Sequence, residues 1–312
     1  MRTDGDGIHH FRHDAMAAPF EIIIAGETAE YARQAADAAF LMIDRIEGEL
    51  SRFKEHSDVS QINHLRPGEM IRIGYRTFGC LRIAAQVHAD TGGAFDVTIG
   101  PLIEFWQKAE SGGRPPKDKA LAKVRARVGM DLLGLDENGF QVGVKKKGVQ
   151  VDLGGIGKGY ALDAAAEVLH DWSIEAALLS AGESTVLAIG APPGAHGWTV
   201  AVGGFGVRAP EKISLCGRAL SGSGIEVRGR HIFDPRTGKP AEGKVATWAC
   251  AQSGAVADAL STAFMAMLPG EVERYCQEHP DTGAMLTMGH TGQEELLRFG
   301  NWPPRITDAT QS

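Results

Sequence analysis

The chain has 312 residues, of which 43% are hydrophobic and 23% charged, a globular balance that excludes disordered and fibrous classes. The formal net charge is −7 and the longest basic run is residues 145–147, so nucleic acid is not an expected partner. No apolar stretch approaches the roughly 20 residues of a membrane span, and residues 1–16 lack the apolar region of a signal peptide. The sequence as written predicts a cytoplasmic location, or the periplasm or cell envelope if an export signal precedes it.

Cysteine and glycine are the informative residue types in the composition. The four cysteines, at positions 80, 216, 250 and 276, lie far apart, which predicts buried thiols rather than a zinc site or a disulfide framework. There are 40 glycines against 12 Phe, 5 Trp and 4 Tyr. Clustered glycines mark places where the backbone turns sharply or approaches a ligand, so functional sites are expected at the clusters.

The N-terminal half of the chain alternates strand and helix patterns. Residues 20–25 predict a buried strand, and residues 28–53 predict a long helix because their apolar positions recur with a period near 3.6. Ser57 is the expected N-cap of a short helix. The further elements predicted in this half are helices at 57–62, 75–89 and 117–128 and strands at 70–73 and 142–151.

The C-terminal half predicts short strands joined by turns, with a helix at 159–170, another at 255–267 and a closing hairpin at 283–299. Because regular strand-helix alternation stops near residue 176, the expected class is α+β, with mixed or antiparallel sheets and packed helices. No linker divides the chain. One domain is expected over residues 16–300, flanked by a flexible segment at 1–15 and a tail at 301–312.

Residues 151–160 (VDLGGIGKGY) pass from a predicted strand into a predicted helix through four glycines. Free backbone N–H groups at a helix N-terminus suit a phosphate or diphosphate group. The stretch is neither a GxGxxG fingerprint in a βαβ frame nor a Walker loop, and a tight turn between strand and helix explains it equally well. From these residues alone, both interpretations stay open.

Asp258 and Thr262 lie four residues apart on one face of the predicted helix 255–267. A carboxylate with a hydroxyl is a sparse oxygen set that suits Mg²⁺, which keeps bound waters and takes phosphate oxygens as further ligands. An Asp near a helix start is also a common cap, so a metal site and a structural role are alternatives at this stage.

Two more segments carry candidate groups. Residues 231–240 (HIFDPRTGKP) run from a short strand into an Asp-Pro turn, with His231 at the entrance. Histidine is the usual general base at neutral pH, although a lone histidine is more often a hydrogen-bonded bystander. Residues 92–102 (GGAFDVTIGPL) present Phe95 and Asp96 in a loop between two helices, where core packing and capping are the alternative roles.

These segments, in this order and spacing, resemble the FAD:protein FMN transferases, the ApbE-type flavin transferases. The resemblance runs in segments from residue 16 to about residue 267. Its most specific segments are 93–102 (GAFDVTIGPL), 152–163 (DLGGIGKGYALD), 231–238 (HIFDPRTG) and 257–263 (ADALSTA). Weaker matches are the opening at 16–20, Ser51 to Phe53 with Ser57 and Asn63, and the pair Ser221-Gly222. The resemblance implies an ApbE-like fold, related to the T-fold.

The resemblance also implies a function. Such enzymes need Mg²⁺, cleave the diphosphate of FAD and attach FMN through a phosphoester bond to a Thr or Ser hydroxyl of an acceptor flavoprotein, releasing AMP. His231 would take the proton from that hydroxyl, while Asp258, Thr262 and the backbone carbonyl of Gly157 would hold Mg²⁺. The residues implied to contact FAD are Met16, Phe53, Ala94, Phe95, Asp96, Gly154, Tyr160 and Ile232.

Some positions depart from the family pattern, and two other functions compete with the transferase. Ala17 and Ala18 stand where the family has Gly and Thr, and Glu183 stands where it has Asp. A Mg²⁺-dependent FAD pyrophosphatase, which releases FMN and AMP, would have a nearly identical site. A non-catalytic flavin carrier is disfavoured, because it has no need of Asp258 and Thr262 together with His231.

Overall fold

The structure is a computed structural model that describes residues 7–112, 117–204, 207–224, 232–289 and 295–306. Its helices are α1 (Ala29–Leu50), α2 (Asp58–Asn63), α3 (Tyr75–Asp90), α4 (Gly100–Ser111), α5 (Asp118–Arg125), α6 (Gly157–Asp171), α7 (Gly254–Ala266) and α8 (Pro269–Glu278). Its strands are β1 (Ile8–Ala15), β2 (Ala18–Ala25), β3 (Met70–Arg72), β4 (Leu133–Asp136), β5 (Gln141–Val144), β6 (Ala177–Ala181), β7 (Thr185–Ile189), β8 (Trp198–Gly204), β9 (Val207–Leu215), β10 (Ala219–Gly224), β11 (Phe233–Asp234), β12 (Lys239–Pro240), β13 (Lys244–Ala251), β14 (Gly283–Met288) and β15 (Glu295–Gly300).

The largest sheet in the described part of the chain has eight strands in the order β1-β2-β6-β7-β10-β13-β14-β15. Every neighbouring pair is antiparallel. The predicted α+β class with antiparallel sheets is therefore confirmed. Strand β13 runs through the interior, and all of its residues are buried because both faces of the sheet are covered.

Helices α1, α6 and α7 cover one face of this sheet, and the β8–β9 hairpin covers the other. Ile43, Leu162 and Phe264 are fully buried on the helical side. Each such side chain contributes about 1.5–3 kcal/mol through the apolar area that it removes from water. On the opposite side Trp198 of β8 packs in one cluster with Trp248 of β13. The sheet is thus the middle layer between helices and a hairpin.

Helices α6 and α7 touch through glycine backbones near their N-termini. A Cβ on Gly159 would collide with the carbonyl group of Gly254, so only glycine permits this approach. Asp163, one turn further along α6, accepts hydrogen bonds from the Ser253 hydroxyl at 2.7 Å, the Gly254 amide at 2.6 Å and the Ala255 amide at 2.9 Å. The carboxylate of one helix therefore satisfies the otherwise unpaired amides that begin the other.

A smaller unit made of α4, α5 and the β11–β12 hairpin packs at one end of the molecule. The Trp106 ring stacks on Phe233 with 6.0 Å between centroids, and its indole N–H donates to the Gly238 carbonyl at 2.9 Å. Leu102, Leu121 and other apolar side chains of α4 and α5 form a separate small core. This packing holds the β11–β12 hairpin in place.

Several sequence predictions are corrected by the structure. Residues 8–15 of the expected flexible segment form β1, which pairs with β2 along its whole length. The residues of β1 are mostly polar, so the sequence shows only a weak alternation of apolar and polar positions there. Part of the expected tail is also held, because Arg305 pairs with Ile213 of β9. Helix α8 was not predicted. Cys216 is exposed because it lies in the turn after β9, whereas the other three cysteines are buried.

Among the described residues, no helix combines the length and the apolar character that crossing a membrane requires.

The β1–β2 hairpin turns through only two residues, Met16 and Ala17, and both have positive φ angles, of 51° and 56°. Two-residue hairpins with φ above zero at both positions belong to the turn type that favours Gly, Asn and Asp. The backbone of Met16 is held in this conformation by its N–H, which donates to Glu47 at 2.9 Å. Ala17, where the family pattern has Gly, therefore carries conformational strain.

We expect Ala17→Gly to raise the free energy of unfolding by about 0.5–1 kcal/mol. Relief of the left-handed strain is worth about 1–2 kcal/mol, and the greater chain entropy of glycine offsets about 0.5–1 kcal/mol of it. Urea unfolding of the purified variant measures the change. Ala18→Gly, which lies in the extended strand next to it, is the matched control and should destabilise; equal effects of the two substitutions would contradict the strain at Ala17.

Candidate active site

Asp258, on the first half of α7, has a side chain that is only 5% exposed and is held from two directions. Its Oδ2 accepts a hydrogen bond from the Gly159 amide at 3.0 Å. Its Oδ1 accepts from the Ser221 hydroxyl of β10 at 3.3 Å and lies 3.9 Å from the Lys158 ammonium. A buried carboxylate needs such partners because ionisation away from water is costly. The glycine-rich turn and α7 therefore meet at Asp258.

Thr262 lies one turn after Asp258 on the same face of α7. Its hydroxyl oxygen is 3.4 Å from the Asp258 backbone carbonyl and 3.4 Å from the Ser223 hydroxyl. Ser223 also lies 2.9 Å from the hydroxyl of Ser261. With Ser221, these side chains form a row of oxygen atoms along α7 and β10, here called the hydroxyl row, next to the Asp258 carboxylate.

The glycines of the 152–163 segment leave free the space next to Thr262 that side chains would occupy. A Cβ on Gly155 would lie 3.1 Å from the Thr262 hydroxyl oxygen and 3.4 Å from the Phe95 ring. A Cβ on Gly157 would lie 3.3 Å from the terminal methyl group of Met16. Residues from four separate segments of the sequence, Met16, Phe95, the 154–157 turn and Thr262, therefore meet at one cleft.

Phe53 lies beside the same turn but faces solvent, with 85% of its surface exposed. The Arg52 guanidinium stacks over its ring at 4.9 Å and also pairs with Asp152 at 3.0 Å. Asp152 in turn accepts the Gly154 amide at 2.7 Å. Arg52 thus links the predicted flavin-stacking ring to the glycine-rich turn. Because so little of the ring is buried, Phe53 contributes little to the hydrophobic core.

Ser57 and Asn63, which belong to the same weak motif as Phe53, support the turn from behind. Ser57 caps α2, since its hydroxyl accepts the Ser60 amide at 2.9 Å. The Asn63 side chain pairs with both backbone groups of Val151, at 2.6 Å and 2.9 Å. Asn63 therefore holds the segment that leads into the glycine-rich turn, and Ser57 fixes the start of the helix that ends at Asn63.

Asp96 is buried in the loop before α4, and internal hydrogen bonds occupy both of its carboxylate oxygens. Oδ1 accepts the amide and the hydroxyl of Thr98 at 2.8 Å and 2.6 Å, and Oδ2 accepts the Met130 amide at 3.1 Å. His88 lies 3.3 Å from Oδ2 and also bonds the Phe95 carbonyl at 2.9 Å. The Asp96 carboxylate thus fixes the loop that contains Ala94 and Phe95, both of which are buried in the hydrophobic core.

The remaining predicted residues fall into different surroundings. Ile232 is buried beside the β11–β12 hairpin and accepts the Ala241 amide through its carbonyl at 2.9 Å. Tyr160 is half-buried with its hydroxyl toward Gly79 of α3, and burial raises its pKa well above the usual value. His231 lies outside the described residues, so the predicted base stays a prediction.

The turn that follows His231 is firmly anchored to α7 and α8. Arg236 pairs with both oxygens of Asp234, at 3.0 Å and 3.2 Å, and with Glu271 at 2.9 Å. It also donates to the backbone carbonyl of Ala266, at the end of α7, at 2.9 Å. This partly buried network ties the 234–238 turn to the helix that carries Asp258.

A model of the ApbE family matches residues 16–286. The chain belongs to the ApbE family. It is therefore an enzyme of the transferase class, as the sequence predicted. The FAD:protein FMN transferase of Vibrio cholerae serotype O1 is 27% identical over 241 residues, which are 72% of this chain and 71% of that protein. The corresponding protein of Escherichia coli K12 is 25% identical over 79% of this chain and 74% of its own length.

Solved ApbE structures share the fold. The ApbE protein of Thermotoga maritima superposes with a TM-score of 0.81 at 28% identity, covering 94% of this chain and 97% of that one. The apo flavinyl transferase ApbE of Pseudomonas stutzeri gives a TM-score of 0.81 at 25% identity and covers 96% of each chain. The predicted ApbE-like architecture is therefore confirmed.

Sequence reasoning missed several residues that build this candidate site. Ser223 and Ser261 of the hydroxyl row received no role, nor did Lys158, Arg52 or Asp163. Ser261 and Lys158 lie inside recognised motifs, so their presence next to Asp258 and Thr262 was a usable signal. Arg52 and Ser223 act through partners about 40 to 100 positions away in the chain, and no local pattern reports such contacts.

We expect the contribution of His88 to stability to depend on pH. The hydrogen bond to Asp96 raises the pKa of His88 above 6.5, outweighing burial, which lowers it. A raised histidine pKa adds stability that is complete below the unfolded value of about 6.5 and is lost as pH rises through the folded value. The difference in unfolding free energy between the native chain and His88→Gln should therefore be larger at pH 5.5 than at pH 8.5.

Urea titrations at several pH values measure that difference, and His10→Gln, on the exposed side of β1, serves as control. A difference for His88→Gln that stays constant from pH 5.5 to 8.5 would show that the imidazolium does not pair with Asp96.

Proposed function

We propose that this chain is a Mg²⁺-dependent FAD:protein FMN transferase that attaches FMN to a Thr or Ser hydroxyl of an acceptor flavoprotein and releases AMP. The observation that carries the proposal is the meeting of Asp258, Thr262 and the hydroxyl row with the glycine-rich turn at one cleft. The relatives named above are called FAD:protein FMN transferases, and the family relation supports the extension of that transfer activity to this chain.

The donor set of the cleft fits Mg²⁺. Asp258 offers a carboxylate and Thr262 and Ser223 offer hydroxyls, so the available atoms are all oxygens, the ligands that Mg²⁺ prefers. Gly155 keeps the approach to the Thr262 hydroxyl open, since a side chain there would press on it. Asp258 and Thr262 would hold the ion by their side chains and Gly157 by its carbonyl. When bound, Mg²⁺ would stabilise negative charge on the diphosphate as a Lewis acid.

The proposed reaction breaks one P–O bond of the FAD diphosphate and forms one. The acceptor hydroxyl oxygen attacks the phosphorus of the FMN half, AMP leaves with the bridging oxygen, and the hydroxyl proton passes to His231. A hydroxyl is a poor nucleophile without such a base. The Arg236 network anchors the turn that follows His231, which is the rigid support that a base requires.

FAD would lie along the exposed side of the glycine-rich turn. Phe53 would stack on a ring of FAD, with Met16 lining the flavin pocket and Ile232 beside it. Ala94, Phe95 and Asp96 would contribute through the loop that His88 and Asp96 hold rigid. Gly154, whose amide is turned by Asp152, and Tyr160 would flank the diphosphate or ribityl chain.

We expect Asp258→Asn to lower the rate of FMN transfer by about 10²-fold or more while the fold is kept. Asparagine keeps the oxygen that accepts the Gly159 amide but lacks the charge that would hold Mg²⁺, and a lost electrostatic stabiliser typically costs about 10²–10³-fold. The assay incubates enzyme with FAD, Mg²⁺ and candidate acceptor proteins and detects bound flavin by fluorescence in a denaturing gel.

Asp37→Asn, at an exposed position of α1, is the matched control. Full transfer by Asp258→Asn, or transfer in the presence of excess chelator, would contradict the metal assignment. Release of free FMN and AMP without labelling of any acceptor would identify the enzyme as an FAD pyrophosphatase instead.

We expect Phe53→Ala to weaken FAD binding about tenfold or more, because aromatic stacking on a base contributes about 1–3 kcal/mol. Phe53 is so exposed that its removal leaves the core intact. Quenching of FAD fluorescence measures the affinity. Tyr31→Ala is the control, since Tyr31 lies in the first turn of α1, roughly 28 Å along the helix from its C-terminal end at Leu50. An unchanged affinity in Phe53→Ala would remove the stacking role.

A further inference from the structure

The two oxygens of the Asp258 carboxylate are held unequally. Oδ2 is fixed by the Gly159 backbone amide at 3.0 Å, a contact that belongs to the α6–α7 packing and cannot easily be released. Oδ1 has only longer contacts, to the Ser221 hydroxyl at 3.3 Å and to the Lys158 ammonium at 3.9 Å. Oδ1 is therefore the oxygen that can change its partner.

Lys158 is placed to make such a change. It is the second residue of α6, so its side chain starts at the glycine-rich turn, and 22% of that side chain is exposed. A lysine ammonium is a compact charge on a flexible stem with four carbons, and it can reach several partners from one backbone position. Asp258, by contrast, is buried and fixed.

A divalent cation at Oδ1 would face the Lys158 ammonium across a partly buried space. Two positive charges at one oxygen repel each other strongly where water is largely excluded. Binding of the cation therefore favours a position of Lys158 away from Asp258. The glycine-rich turn, from which Lys158 extends, is where the proposed diphosphate would bring negative charge.

We propose that Lys158 is a catalytic residue that exchanges partners: its ammonium pairs with Asp258 until a divalent cation binds, and then pairs with the diphosphate of FAD. This inference rests on the proposed function and assigns the ligand class of Lys158 within it. No covalent bond forms or breaks at Lys158. The exchange links the binding of the cation to the binding of the dinucleotide. The cation displaces the ammonium from Asp258, and the diphosphate binds the displaced ammonium.

The test uses Lys158→Met, which keeps the length of the side chain and removes its charge, and Lys158→Arg, which keeps the charge. Mn²⁺ serves as the probe ion. Its binding to the full chain is measured from the electron paramagnetic resonance signal of free Mn²⁺, without and with saturating FAD. Single-turnover FMN transfer is measured on the same preparations. Lys108→Met, an exposed lysine of α4, is the matched control.

Without FAD, Lys158→Met is expected to bind Mn²⁺ more tightly than the native chain, because the competing charge is gone. Addition of FAD should then tighten Mn²⁺ binding less in this variant than in the native chain, by the reciprocity of linked binding. Its transfer rate should fall by about 10²-fold, the usual loss for one stabilising charge. Lys158→Arg should retain weak Mn²⁺ binding without FAD, like the native chain.

Weaker or unchanged Mn²⁺ binding in Lys158→Met would overturn the proposal, since a lysine that only orients Asp258 would lower the affinity when removed. Asp258→Asn separates this failure from failure of the proposed function. If Asp258→Asn loses Mn²⁺ binding but Lys158→Met behaves as the native chain, only the exchange is wrong. If Asp258→Asn binds Mn²⁺ normally, the metal assignment itself is wrong, and the exchange falls with it.

Discussion

The close approach of α6 to α7 at Gly159 and Gly254 is the constraint on which the rest of the site depends. Because neither residue has a side chain, the two helix N-termini come near enough for the Gly159 amide to reach Asp258. The same approach sets the 154–157 turn in front of Thr262. A single Cβ at Gly159 would separate the helices and with them the carboxylate, the hydroxyl row and the glycine-rich turn.

Helix α7 is buried and also held by charged side chains at both ends. Asp163 binds the amides at its N-terminus, and Lys244 donates to the carbonyl groups of Met265 and Met267 at its C-terminus. These signs match the helix dipole, positive at the N-terminus and negative at the C-terminus. Burial raises the pKa of Asp163 and lowers that of Lys244 to about 8, which reflects the cost of placing both charges inside. The two charged side chains nevertheless fix the position of α7 at both of its ends.

The sequence predicted those parts of the structure that repeat locally. The 3.6-residue period located α1, α3 and α7 to within a few residues, and the i, i+4 spacing placed Asp258 and Thr262 on one face. Strand β1 was not predicted, because its residues are mostly polar and are recognised as a strand only through their pairing with β2. Contacts such as that of Arg52 with Asp152 were not predicted for a different reason, because no periodic pattern connects positions 100 residues apart.

The two acidic residues that begin and end the 152–163 motif have structural partners within the fold. Its first residue, Asp152, is occupied by Arg52 and by the Gly154 amide, and its last, Asp163, is occupied by the start of α7. Both acidic groups therefore hold backbone in place. What the motif leaves accessible is the exposed Gly154 and the ammonium of Lys158. An anionic substrate that approached this segment would meet backbone and a positive charge, since the two carboxylates that frame it are already neutralised or bonded within the fold.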